Sequence, residues 1–157
     1  MKTVSKGVYS IGKKKIDERK ILSEYTSNGK GMIVGYALFN KIGLTLHQDE
    51  QIVIYTNVIT TKQKSIGNLL LKKVDLIFTD EIIDLVSLLE ILDIGFSIRG
   101  GDYLTYRNVV ELLAKTYTDD NFKQVIGAVH YKYSTIVKLN ELLNRLNINN
   151  LCMDLYQ

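Results

Sequence analysis

GMIVGYALFNKIGLTLHQDEQIVIYTN, running from Gly31 to Asn57, strings a short strand, a small helix and a second strand into one compact unit. Met32 to Val34 is a brief apolar run. Tyr36, Phe39, Lys41 and Ile42 then recur at helical spacing, and Gly43 stands where a helix is stopped by a residue free to turn left-handed. After a polar turn that carries His47, Gln48, Asp49 and Glu50, residues Gln51 to Thr56 alternate as a strand does. The unit holds no catalytic constellation.

Upstream of it, Val4 to Ile11 reads as a strand or hairpin. Ile16 to Tyr25 reads as a short helix that packs through Ile16, Ile21, Leu22 and Tyr25, and Asn28-Gly29-Lys30-Gly31 is a turn. Downstream, Leu69 to Val74 is apolar enough for a central strand, expected to run antiparallel to Gln51–Thr56 and to complete a small mixed sheet. Thr79-Asp80 supplies a side-chain oxygen that can cap a helix over Glu81 to Asp93. That helix is apolar almost all round, with Asp84, Ser87 and Glu90 forming a narrow polar stripe, so it is expected to be buried on most sides.

Beyond a tight loop at Arg99-Gly100-Gly101-Asp102 the pattern becomes purely helical. Thr105 to Tyr117 carries Tyr106, Val109, Val110, Leu113 and Tyr117 on one face. Asp119 or Asp120 can cap a second helix with Phe122, Val125, Ile126, Val129 and Tyr133 in its stripe, and Ser134 to Leu146 forms a third. The expected fold class is therefore α+β: a small mixed β-sheet with a buried helix, followed by a C-terminal helical bundle. Residues 1–30 form a basic hairpin and short helix, residues 31–96 an α+β core, and residues 97–157 the helical part.

Composition bounds the function. Of the 157 residues, 46% are apolar and 24% charged, which is ordinary for a globular chain and excludes disordered and fibrous classes. No apolar run approaches a membrane span, and Met1 to Lys6 lacks the apolar core of a signal peptide, so a cytoplasmic protein without a membrane partner is expected. The single cysteine, Cys152, sits among Leu151, Met153 and Leu155 as a small hydrophobe and has no intramolecular partner for a disulfide. The glycines make neither a phosphate loop nor a dinucleotide fingerprint, and no cofactor is expected.

Charge is unevenly spread. Residues 1–30 contain eight Lys or Arg against three Asp or Glu, whereas residues 31–96 contain five against eight. Lys6, Lys13, Lys14 and Lys15 can contact phosphates, because lysines near a polyanion gain affinity from released counterions without reading sequence. A solvated lysine face that aids solubility is the competing reading. Of the two histidines, His47 with Asp49 gives only two metal ligands one residue apart, a poor site. His130 falls off the apolar stripe and lacks an acid placed to orient it. Tyr103, Tyr106, Tyr117, Tyr131 and Tyr133 crowd the last third of the chain, where they serve either as a protein-binding surface or as half-buried core residues.

Lys6-Gly7-Val8-Tyr9, the Gly31–Asn57 unit and the run from Phe78-Thr79-Asp80-Glu81-Ile82 to Leu92-Asp93 together resemble the AbiEi-type antitoxins of abortive-infection and type IV toxin–antitoxin systems, over roughly residues 3 to 95. In that family a winged helix-turn-helix represses the antitoxin's own operon, and the antitoxin opposes a nucleotidyltransferase-like toxin as part of phage defence. The likeness here begins at the wing, Val4 to Ile11, without the helices that precede it. What it implies is a non-enzymatic antitoxin-like regulator or inhibitor acting mainly by protein–protein contact, with DNA contact limited to the basic N-terminal residues. Two other functions compete: a phage or mobile-element inhibitor of a host defence nuclease, and a small metal-dependent nuclease using His130 or Asp80, Glu81 and Asp84.

Overall fold

The computed structural model describes residues 11–98 and 100–157, with the side chains of residues 11–17 and of Phe96 excepted. Residues 4–10 of the expected N-terminal hairpin lie outside this range. Ile11 is not a strand residue but opens helix α1 (Ile11–Thr26), which is longer than the Ile16–Tyr25 pattern indicated. The chain then turns through Asn28 and Gly29, both at positive φ, into strand β1 (Gly31–Val34), helix α2 (Tyr36–Lys41) and strand β2 (Ile52–Thr56). Gly43, at φ 84°, ends α2. The amide of Gly43 donates to the Asn40 carbonyl and that of Leu44 to the Phe39 carbonyl, which satisfies the carbonyls a helix end would otherwise expose.

Strands β3 (Gln63–Ile66) and β4 (Leu69–Lys73) complete a four-stranded sheet of order β1-β2-β4-β3. β1 and β2 pair antiparallel, with Met32 opposite Tyr55 and Val34 opposite Val53. The expected antiparallel pairing of Leu69–Val74 with Gln51–Thr56 is overturned, since β4 lies parallel to β2 with Ile54 beside Leu71. The reversal comes from β3, a strand the hydropathy pattern did not show. A two-residue turn at Gly67-Asn68, with Gly67 at φ 58°, folds β3 back onto β4 as an antiparallel hairpin. The chain therefore passes over the sheet end to its far edge before returning beside β2. All of β3 except Ile66 is exposed, so its sequence Gln63-Lys64-Ser65 carries no buried alternation.

Helices cover both faces of the sheet. Ile54, Leu69 and Leu71 point to the face where Ile21, Leu22 and Tyr25 of α1 close a small apolar cluster. Met32, Val34, Val53 and Tyr55 belong to the larger core on the other face, against α3 (Asp80–Ile94). Thr79 caps α3 by accepting from the Ile82 amide, 3.2 Å away, and Leu85, Val86, Leu88, Leu89 and Ile91 are all buried, as the all-round apolar pattern requires. Ser87, expected on a polar stripe, is itself buried.

A 3-10 turn (Gly95–Ser97) leads into α4 (Tyr103–Ala114), α5 (Asp119–Ala128), α6 (Tyr133–Arg145) and α7 (Cys152–Tyr156). α4, α5 and α6 each pack on α3, so one continuous apolar core runs from Met32 to Cys152. The cap of α5 is neither Asp119 nor Asp120 but Thr118, whose hydroxyl accepts from the Asn121 amide. Asp119 is engaged elsewhere: it accepts from the Tyr117 hydroxyl at 2.7 Å and from the Leu151 amide at 2.9 Å, tying α5 to the segment before α7. Side chains of Asn140, Asn144 and Asn150 hydrogen-bond in a ring that fastens the same segment to α6.

Candidate functional site

α3 carries one acid in its second half that turns toward the sheet. Glu90 Oε2 accepts from the Tyr55 hydroxyl of β2 at 3.1 Å and from the Tyr131 hydroxyl, in the link between α5 and α6, at 2.6 Å. One turn on, Asp93 Oδ1 accepts from the Thr135 hydroxyl at 2.7 Å and lies 3.8 Å from Lys132 Nζ. Two acids on one helix thus join elements that are far apart in the chain. Burial pushes the Glu90 carboxyl up from its ordinary range, against the downward pull of the two phenols and of Lys72. Burial and the neighbouring Glu90 push both phenols up in turn, so they stay protonated donors.

Glu90 and Asp93 line a cleft of about 470 Å³ between the end of α3 and the β1–α2 corner. Val34, Tyr36 and Phe39 form its apolar side, and Asp49 stands at its rim. Positive φ at Gly35, 71°, lets the chain turn sharply from β1 into α2, where the half-buried Tyr36 ring meets the buried Phe39 ring in edge-to-face contact with centroids 5.5 Å apart. His47 packs edge-on against Tyr36 at 4.8 Å, and its Nε2 lies 2.9 Å from Asp49 Oδ1, so the pair seen in the sequence is a rim contact.

The residues singled out from the sequence do not converge. Lys6 lies outside the described residues, and Lys13, Lys14 and Lys15 fall at the beginning of α1. Among the five tyrosines, Tyr117 and Tyr131 are buried with their hydroxyls on Asp119 and Glu90, so a surface role for these two is corrected to a core role. Tyr106 is partly buried. Tyr103 and Tyr133 are exposed, the latter with its ring 6.3 Å from that of Tyr156. Asp80 and Glu81 occupy the first turn of α3, where carboxylates complement the helix dipole. Asp84 follows with its carboxyl pushed up by partial burial and by these two neighbours. His130 is exposed. Among the described residues no group of three His, Cys, Asp or Glu is placed to hold a metal ion, and no helix is long and apolar enough to cross a membrane.

Sequence reading missed Glu90 because it looked like one member of a solvated stripe. The available signal was its setting: Glu90 falls between Leu88-Leu89 and Ile91-Leu92, all buried, and a carboxylate held so close to apolar neighbours needs a partner. Compared with family models, with curated proteins and with solved structures, the chain matches none.

Proposed function

We propose that this protein is a non-enzymatic, antitoxin-like regulator or inhibitor that acts mainly through protein contact, with any nucleic-acid contact confined to Lys6 and Lys13–Lys15. One observation carries the reading. α4 buries one face against α3 through Val110 and Ala114, yet its outward face also carries apolar side chains, with Leu104 64% and Leu112 66% exposed two turns apart and Tyr103 56% exposed beside them. The outward face is mixed, with Arg107, Asn108 and Glu111 between the two leucines, and large apolar side chains set among polar ones on an exposed helix face suit a protein contact. The resemblance to AbiEi-type antitoxins agrees with a partner-opposing role.

The test is affinity capture of the tagged chain from its native cell, from nuclease-treated and untreated lysates, with the Leu104→Ser/Leu112→Ser double variant alongside. Both positions are exposed, so thermal unfolding of the variant should match the parent within about 0.5 kcal/mol. A stoichiometric protein partner should survive nuclease treatment and be lost from the variant, and its identity separates a nucleotidyltransferase-like toxin from a defence nuclease. Recovery of partners only without nuclease would overturn the reading in favour of nucleic-acid binding through the N-terminal lysines.

A further inference from the structure

We propose that the cleft between the β1–α2 corner and the end of α3 is a binding site for a guanidinium group on a short apolar stem, with Glu90 as its principal charge partner. The inference is separate from the α4 contact surface. It rests first on the cavity, whose volume of about 470 Å³ is ample for such a group, and whose lining is apolar on the side of Val34, Tyr36 and Phe39 and acidic on the side of Glu90 and Asp93. A cation with an apolar stem satisfies both sides at once.

The second ground is the way Glu90 is bonded. Both phenols donate to Oε2, and among the described residues no hydrogen bond reaches Oε1, so a partly buried carboxylate lining the cleft retains one oxygen for an incoming donor. Tyr55 and Tyr131 hold that carboxylate from two elements, which fixes its position before a ligand arrives. Asp49 at the rim offers another acceptor, and the only described partner of its side chain is His47.

Guanidinium is favoured over ammonium because acceptors line the cleft from two separate parts of the chain, Glu90 on α3 and Asp49 in the segment between α2 and β2. A planar fork with several donors suits more than one acceptor and can still pack beside the half-buried Tyr36 ring. The same group reaches a protein either as a free alkylguanidine or as an arginine side chain of another polypeptide, and the site's chemistry is common to both.

Amide chemical shifts of Val34, Val53 and Ile94 in the full chain, followed during titration with butylguanidinium and with capped arginine amide, provide the test. Capped norleucine amide serves as the uncharged comparison. Saturable shifts are expected with dissociation constants at about the millimolar level for so small a probe, and no saturation with norleucine. Tighter binding of capped arginine points to a polypeptide source, and tighter binding of butylguanidinium to a free small molecule. Glu90→Gln should weaken binding about tenfold, in line with the loss of a charge-assisted bond, and Asp49→Asn about threefold, as for an exposed pair. Glu90→Gln retains the oxygen that the phenols address. Should it nevertheless unfold, Asp49→Asn at the exposed rim decides alone. Absence of saturable shifts in the parent, equal binding of norleucine, or unchanged affinity in a folded variant would overturn the proposal.

Discussion

Replacing Tyr131 with Phe removes one hydroxyl from a buried ring and nothing else, and the structure sets what that should cost. The ring is 4% exposed, its hydroxyl donates to Glu90 Oε2 at 2.6 Å, and its backbone carbonyl continues to accept from the Tyr156 hydroxyl in the variant. A hydrogen bond to a charged group contributes about 1.5–3 kcal/mol, and Tyr55 remains on the same oxygen, so a loss of about 2 kcal/mol is expected at neutral pH. For a chain of this size that corresponds to a fall in melting temperature of roughly 4–8 °C.

The pH dependence gives the sharper check. Burial raises the folded-state pKa of Glu90 above its ordinary 4.5, so the native state holds a proton that the unfolded state has released. Stability is therefore lost as pH rises through the window between 4.5 and the raised value. The phenols oppose that rise by favouring the ionised carboxylate. Deleting one raises the folded pKa further, so the destabilisation by Tyr131→Phe should be small at acidic pH and grow as Glu90 ionises. In Glu90→Gln this part of the pH dependence should vanish. Urea unfolding followed by far-ultraviolet circular dichroism at several pH values, with the double variant to close the cycle, measures each term. A loss below about 0.5 kcal/mol, or one that does not change across the carboxylate range, would refute the account of Glu90 as a partly buried anion held by two phenols.

Gly31→Ala should prevent stable folding or cost at least about 3 kcal/mol in chemical denaturation, because an added Cβ would press into the carbonyl oxygens of Tyr25 and Tyr55, which are backbone and cannot swing aside. Thr118→Ala should cost about 1 kcal/mol through loss of the α5 cap, while Asp120→Ala should cost less than half as much. Equal effects in thermal melts would return the cap to the acidic residues.

What could be read from the chain was local. The Gly31–Asn57 strand–helix–strand unit, the cap at Thr79 and the buried length of α3 were each written in contiguous residues, because a stop glycine, a short hydroxyl and an all-round apolar helix act within a few positions of themselves. The α5 cap slipped by one residue because Thr118, Asp119 and Asp120 can all accept from a free amide, and Asp119 is drawn off by Tyr117 and Leu151, the latter 32 residues away. α7 was not foreseen. With five residues it has little helical preference of its own and is held by packing on α5 and α6.

By itself, then, the sequence determined the α+β class, the place of α3 at the centre and the helical character of the last third, since periodicity and capping are properties of neighbouring residues. Only the tertiary structure decided the parallel pairing of β2 with β4, because the strand that forces it is exposed and polar and carries no hydrophobic period of its own. It alone decided the Glu90 cleft as well, since the groups that meet there, Tyr55, Glu90 and Tyr131, are separated by 35 and 41 residues and become neighbours only when α3 is laid across the sheet and the last helices close on it.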